Sequence, residues 1–209
     1  MPNASEERTK NRREEIVDAC RELYEVLPFK EITILKIGQH TSFTRTSIYN
    51  YFRTREEIFL ALLEREFAAW TEDLFALAEE PASREAFPER FAALLDKRKC
   101  MLKLLSMNLY DMEAGSRFQE LVAFKKTYGT SMDAVAWCVK AHTGASTAEA
   151  EQFVYTLYPF LIGVYPYSEA TEKQRKAMEQ AGIPYRPFTV SELTRPLVKK
   201  LIFGFGEEY

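Results

Sequence analysis

Between Pro28 and Arg55 the chain holds a pattern that few folds can use. Ile34 and Ile37 lie three apart, Ile48 and Phe52 lie four apart, and the turn Thr41-Ser42-Phe43-Thr44 separates the pairs. Each pair marks one face of a short helix. Helices of that length are not stable alone in water and need a larger partner to cover their apolar side. One precedes them: Ile16, Cys20, Leu23 and Leu27 recur at helical spacing over residues 8–27, and Pro28 ends the run. Thr33 is placed to cap a second helix over 33–40, and a third runs over about 44–51. The spacing predicts a three-helix body with Ile34, Ile37, Phe43, Ile48 and Phe52 inside.

That packing leaves the start and outer face of the third helix free. On a wheel centred on Ile48, Thr46, Tyr49 and Asn50 point outward, with Arg45 at the edge. In a helix-turn-helix this second helix of the pair enters the major groove with its N-terminal residues at base edges. Arg can pair bidentately with guanine and Asn with adenine. The hydroxyls of Thr44, Ser47 and Tyr49 suit phosphates or bases. Thr33, Thr54 and Arg55 stand at helix starts, where free N–H groups and the dipole attract phosphate, and Lys36 adds charge. The candidate DNA contacts are therefore Thr33, Lys36, Thr44, Arg45, Thr46, Ser47, Tyr49, Asn50, Thr54 and Arg55. The charge balance agrees. The chain carries a net −3, yet residues 1–55 hold 10 Lys/Arg against 8 Asp/Glu, while the rest hold 18 against 23. Residues 32–55 contain Lys36, Arg45, Arg53 and Arg55 and no acid. Arg8, Lys10, Arg12 and Arg13 read as solvated charges at a helix start.

Residues 33–58, TILKIGQHTSFTRTSIYNYFRTREEI, resemble the DNA-binding signature of the TetR family of bacterial regulators. Thr33, Ile37, Ile48, Tyr49, Tyr51, Phe52, Thr54, Glu56 and Glu57 match it in register, and Arg55 and Ile58 are close substitutes. There are departures. The family's turn is usually Ala-Gly-Val-Ser; here it is Thr41-Ser42-Phe43-Thr44, so a residue that tolerates positive φ is lost. Gly38 replaces an Ala, and Thr46 replaces a small residue that is usually Gly. The resemblance implies an all-α protein: a DNA-binding head over 1–54 and a ligand-binding and dimerisation domain over 55–209.

Helical spacing continues after the head. Thr54 and Glu57 have capping-box spacing and open a helix over 54–79 carrying Ile58, Leu62, Arg65, Ala69 and Leu77. Further helices are predicted over about 88–98, 100–112, 116–141, 148–165, 171–181 and 190–203. The breakers are Gly115, Gly144, Pro166, Gly182-Ile183-Pro184 and Pro187. Residues 56–209 carry 22 of the 28 aromatic residues. Met101, Leu104, Leu105, Asn108 and Met112 share one helical side, and Phe118, Phe124, Tyr128, Trp137, Cys138 and His142 follow on another helix.

The resemblance places a small-molecule effector in this region, with no cofactor. The candidate contacts are Met101, Leu105, Asn108, Met112, Phe124, Tyr128, Trp137 and His142. No cluster of charge marks an anionic ligand, so an apolar, aromatic or amphipathic one is expected. Dimerisation in the family uses the last two long helices. Here these are about 148–165, with Phe153, Leu157, Phe160, Leu161 and Val164, and 190–203, with Leu193, Leu197, Leu201 and Ile202, and Phe203 and Phe205 beyond. A twofold dimer presents two heads to a palindromic DNA operator, from which ligand releases a repressor.

Two rivals remain: a helical partner-binding protein whose head no longer binds DNA, and an enzyme using Cys138 and His142. No Gly-rich phosphate loop, nucleophile elbow or paired-His motif supports the enzyme. Cys20, Cys100 and Cys138 lack metal-ligand spacing, and the first 15 residues lack an apolar leader segment. A cytoplasmic setting and no membrane span are expected.

Overall fold

The computed structural model describes residues 4–81 and 83–204, and for residues 4–6 and 45 the backbone only. Among them the secondary structure is helical throughout, without a strand. The order is α1 (Ala4–Val26), a 3-10 turn (Phe29–Glu31), α2 (Ile34–Gln39), α3 (Arg45–Ile48), α4 (Arg55–Glu79), α5 (Phe87–Asp96), α6 (Lys99–Gly115), α7 (Phe118–Thr143), α8 (Thr147–Ser168), α9 (Glu172–Gln180) and α10 (Val190–Phe203). No helix among the described residues is long and apolar enough to cross a membrane.

The chain divides into two compact units: Met1–Glu66 with Asn108–Thr127, and Phe67–Met107 with Tyr128–Tyr209. The helices α4, α6 and α7 each contribute to both. In the first unit, α1 buries Ile16, Val17, Cys20, Leu23 and Tyr24 and exposes Asp18, Arg21 and Glu22. Helix α2 packs on α1, the Tyr24 and Phe59 rings meet at 5.3 Å, and Ile37 of α2, Ile48 of α3, Phe52, and Ile58, Phe59, Leu62 and Leu63 of α4 are all fully buried. Two residues expected inside are only half-buried, Ile34 and Phe43. Thr33 caps α2 as predicted, its hydroxyl accepting the Lys36 N–H at 3.2 Å.

The second unit is built on rings. Trp70 of α4 lies within 6.4 Å, centroid to centroid, of Phe67, Phe91 and Tyr158. Phe91 meets Phe87 and Phe153, and Tyr128 joins Phe67 and Tyr158. Capping boxes start three helices: Ser146 with Glu149 for α8, Thr171 with Gln174 for α9, and Thr189 with Glu192 for α10. Gly144, at φ +72°, makes the left-handed turn that separates α7 from α8. Helix α10 packs along α5 and against α8, whereas α9 buries none of its residues.

The expected break at Pro166 is corrected: α8 runs through both Pro159 and Pro166 to Ser168. Both prolines are exposed, so the side of the helix that loses their N–H bonds faces water.

The outward face of α8 also differs from expectation. Phe153, Leu157, Leu161 and Val164 are buried within the unit's own core, and Phe160 is half-buried. Exposed instead are Tyr155, Pro159, Ile162, Pro166 and Tyr167, an apolar stripe at helical spacing. On α10, Ile202 is buried, Leu193, Leu197 and Leu201 are half-buried, and Phe203 is exposed. Phe205 lies outside the described residues.

Candidate nucleic-acid interface

Helix α3 is four residues long, and a hydrogen-bonded turn extends it to Phe52, whose N–H donates to the Ile48 carbonyl at 3.0 Å. Ile48 and Phe52 are fully buried, which fixes the roll of the helix. The opposite side is then set by periodicity: Thr44, Thr46, Tyr49 and Asn50 are exposed and Ser47 half-exposed. The Thr44 and Ser47 hydroxyls lie 3.2 Å apart. Arg45 begins the helix, and its side chain lies outside the described residues. Thr33 is exposed and Lys36 half-buried.

The altered turn before α3 needs no left-handed residue. No described residue other than glycine has positive φ. Three contacts hold the turn instead. The Thr41 hydroxyl lies 3.0 Å from the Gly38 carbonyl and 3.1 Å from that of Phe43. The Ser42 N–H donates to Glu15 of α1 at 2.5 Å. The Glu15 contact could not be read from the sequence, because it joins residues 27 apart.

Thr54 and Arg55 occupy a different setting. The Thr54 hydroxyl accepts the Glu57 N–H at 3.1 Å and donates to the Gly115 carbonyl at 3.0 Å. The expected capping box is shifted, because the Glu57 carboxylate accepts the N–H of Arg53 (2.7 Å), one residue before the cap. Arg55 stacks over Phe29 at 4.6 Å and donates to the carbonyls of Phe29, Lys30 and Ile32 at 3.1–3.4 Å. Its guanidinium thus closes the 3-10 turn ahead of α2.

Glu57 carries a further set of contacts that sequence reasoning missed. Arg117 at the start of α7 donates to it from Nε at 2.5 Å, from Nη2 at 2.9 Å and from its backbone N–H at 3.2 Å. Burial opposes ionisation of this carboxyl, but the Arg117 guanidinium and the two backbone N–H groups outweigh it, and it titrates below its ordinary range.

The eight residues expected to contact an effector divide between the units. Asn108, Met112 and Phe124 belong to the first, and Met101, Leu105, Tyr128, Trp137 and His142 to the second. Met101, Met112 and Phe124 are fully buried, and Leu105 nearly so. Asn108, the polar residue in an apolar row, accepts the Tyr24 hydroxyl at 2.8 Å. Trp137 is 62% exposed and so stands on the surface.

His142 is buried, stacks on Phe87 at 5.0 Å, and places Nε2 at 2.8 Å from the Leu77 carbonyl. A carbonyl only accepts, so Nε2 carries a proton, and Nδ1 is buried without a partner. The buried Trp70 N–H also lacks a partner. Tyr158 and Ser131 share a 2.6 Å hydrogen bond in the same unit. Cys138, the residue of the enzyme alternative, is buried, and burial pushes its thiol up to about 12. That is the reverse of what a nucleophile needs.

Comparison with known proteins agrees with this geometry. The family model for the tetracyclin repressor-like C-terminal domain matches residues 64–207. Among solved structures, the fatty acid degradation regulator FadR from Bacillus halodurans superposes with a TM-score of 0.61 at 12% identity, over 94% of this chain and 97% of that one. A TetR/AcrR-family transcriptional regulator from Thermobifida fusca gives 0.59 at 17% identity, over 94% and 100%. FadR from Bacillus subtilis, in complex with stearoyl-CoA, gives 0.57 at 13% identity, over 91% and 98%. These identities show a shared fold. No curated protein sequence matches the chain. The family model covers well over half the residues, so the chain belongs to the TetR-like family, whose members are DNA-binding transcriptional regulators with a ligand-binding domain rather than enzymes.

Proposed function

We propose that the protein is a homodimeric repressor whose α3 helices read the two halves of a palindromic operator and which a small molecule releases. The observation that carries this reading is the polarity of α3. Ile48 and Phe52 are sealed inside while Thr44, Thr46, Tyr49 and Asn50 stand outside. Asn50 and Arg45 are the base readers, and Thr33, Lys36, Thr44, Ser47 and Tyr49 are the phosphate contacts. Thr54 and Arg55, being occupied by backbone partners, serve the architecture of the head. The head is residues 1–54, and residues 55–209 bind effector and dimerise.

The dimer forms through α8 and α10. The exposed α8 stripe of Tyr155, Pro159, Ile162, Pro166 and Tyr167 supports this, because a lone protomer would leave it in water. The effector enters the ring-lined interior of the second unit. Among the described residues, the polar groups buried there include Thr71, Ser131, His142, Thr194, the Trp70 N–H and the Tyr158 hydroxyl, and the only charged atoms buried there without a partner are the Nε atoms of Arg84 and Arg98. An apolar or amphipathic molecule with one uncharged polar group suits such walls. Stearoyl-CoA, found in the Bacillus subtilis FadR structure, has an acyl chain that suits such walls, while its phosphate-bearing headgroup would have to stay outside them, so it tests whether the chain alone decides binding. Coupling of about 1–3 kcal/mol between effector and operator suffices for release.

Selection of bound duplexes from a random DNA pool tests the reading. The expected result is a palindrome with half-site centres about 10 base pairs, or a multiple, apart. Repeating the selection with stearoyl-CoA and with neutral aromatic compounds present identifies the effector class by loss of enrichment. Enrichment of no sequence, or of an asymmetric one, overturns the operator reading.

A further inference from the structure

We infer that Arg117 is a positioning residue for DNA reading, holding the exit of the recognition helix in place although it lies 65 residues beyond Phe52 in sequence. The inference rests on the reading that α3 enters the groove, and it adds what fixes α3 there.

Two routes lead from the first turn of α7 to residues 51–53. In the first, Arg117 grips the Glu57 carboxylate, whose side chain is fully buried, and that carboxylate accepts the Arg53 N–H at 2.7 Å. In the second, Arg117 pairs with Glu120 at 3.1 Å, and Glu120 pairs with Arg13 at 3.4 Å. Arg13 in turn donates to the Tyr51 carbonyl at 3.2 Å and lies 4.4 Å from the centre of the Phe52 ring. Residues 51–53 follow α3 directly, and Phe52 is its buried anchor. The α3 helix is only four residues long, so it has little rigidity of its own, and the aim of Thr46, Tyr49 and Asn50 depends on what fixes its ends. Glu15 fixes the turn before it. The Arg117 network fixes the segment after it.

The corner that carries Arg117 fits closely. Gly115 offers its carbonyl to the Thr54 hydroxyl, and a Cβ on Gly115 would lie 2.5 Å from Cγ and 2.8 Å from Cβ of Glu56. That overlap is with the stem of the side chain and not its flexible end, so only a residue without a Cβ lets the corner seat. A charged, hydrogen-bonded contact of fixed geometry holds position better than apolar packing, which can slide.

The test uses the full chain and the palindromic duplex recovered by selection, with random-sequence duplex as control. Operator affinity is measured as a function of salt, and the folded fraction by far-UV circular dichroism and stoichiometric titration. Arg117→Met should weaken operator binding by the folded fraction roughly 3- to 30-fold. The slope of log affinity against log salt should not change, because no phosphate contact is lost. Binding to random duplex should fall less. Arg117→Lys should restore part of the loss. Gly115→Ala, which keeps every charge but lifts the corner, should reproduce it. Unaltered operator affinity in both Arg117→Met and Gly115→Ala overturns the inference, and a slope reduced by about one makes Arg117 a phosphate contact instead. Failure of the wild-type chain to prefer the selected duplex would sink the reader itself, a distinguishable outcome.

Discussion

The two units hold themselves together with different chemistry. In the first, ionised groups are drawn inward: Glu57 and Glu66 are 1% and 5% exposed. Arg65 pairs with Glu14 and Asp18, Arg13 with Glu120, and Arg55 closes the Phe29–Glu31 turn. In the second, no charged residue is buried as a whole among the described residues, although Arg84 and Arg98 bury their Nε atoms and Arg98 pairs with Asp73, and a chain of rings runs from Phe67 through Trp70, Phe91 and Phe87 to His142. Burial of Ile48 and Phe52 fixes the roll of α3, but so short a helix buries too little apolar area to fix its ends as well, and directional hydrogen bonds do that. Ring packing gives area without strict direction, which suits the effector-holding interior proposed above. Precision and plasticity are thus separated along the chain.

The largest effect should come from the plastic side. Trp70 is fully buried against Phe67, Phe91 and Tyr158. Trp70→Ala should cost about 3–5 kcal/mol in urea unfolding, through lost transfer energy and an unfilled cavity. A loss below about 1 kcal/mol would show that the rings are not the mainstay of this unit.

On the precise side, Glu57→Gln should cost about 2 kcal/mol at neutral pH, less than the usual penalty for breaking a buried pair because the Arg117 side chain is 34% exposed. The pH dependence has a definite sign. The carboxyl titrates below its ordinary 4.5 in the folded protein, so its stabilisation is complete above that pH and disappears as the pH falls further. Wild type and Glu57→Gln should therefore converge in urea midpoint as the pH drops below about 4.5. A gap that stays constant across that window would show that the ion pair is not its source.

How much of this was visible in the sequence depends on range. Local periodicity and caps were legible: Thr33 as a cap, Ile37, Ile48 and Phe52 inside, Thr46, Tyr49 and Asn50 outside, and nearly every helix. Pro166 misled because a proline on a water-facing side of a helix costs less than one inside. The α8 stripe was assigned to the wrong partner because apolar residues at helical spacing look alike whether they face a protomer's own core or a second copy. Contacts between distant positions left no trace: Glu15 with Ser42, Arg55 with three carbonyls, Glu57 with Arg117. Nothing in one sequence says which acid meets which base. The Thr54–Glu57 spacing and the place of Glu57 in the family signature hinted that it was more than a solvated charge, and the carboxylate then took a donor one residue earlier.

A smaller stability change is expected at the edge of the reader. Thr33→Ala removes the acceptor for the Lys36 N–H and should cost about 1 kcal/mol, read from the urea midpoint. A cost near zero would mean that water replaces the cap freely.

The smallest stability effects should fall on the outer face of the head, and there DNA binding becomes the sharper probe. Lys36 is half-buried and Tyr49 is 44% exposed, so Lys36→Gln and Tyr49→Phe should each change unfolding by less than about 0.5 kcal/mol. Their effects on DNA should differ in kind. Lys36→Gln removes a cation, and if it neutralises a phosphate the salt slope should fall by about 0.9 on operator and random duplex alike. Tyr49→Phe removes an uncharged hydroxyl, so affinity should drop on both duplexes while the slope stays fixed. A Tyr49→Phe loss confined to the operator would instead make that hydroxyl a base reader, and an unchanged slope in Lys36→Gln would remove Lys36 from the phosphate contacts. Either result would redraw the border between the residues that touch DNA and those, like Arg55, that serve the fold behind them.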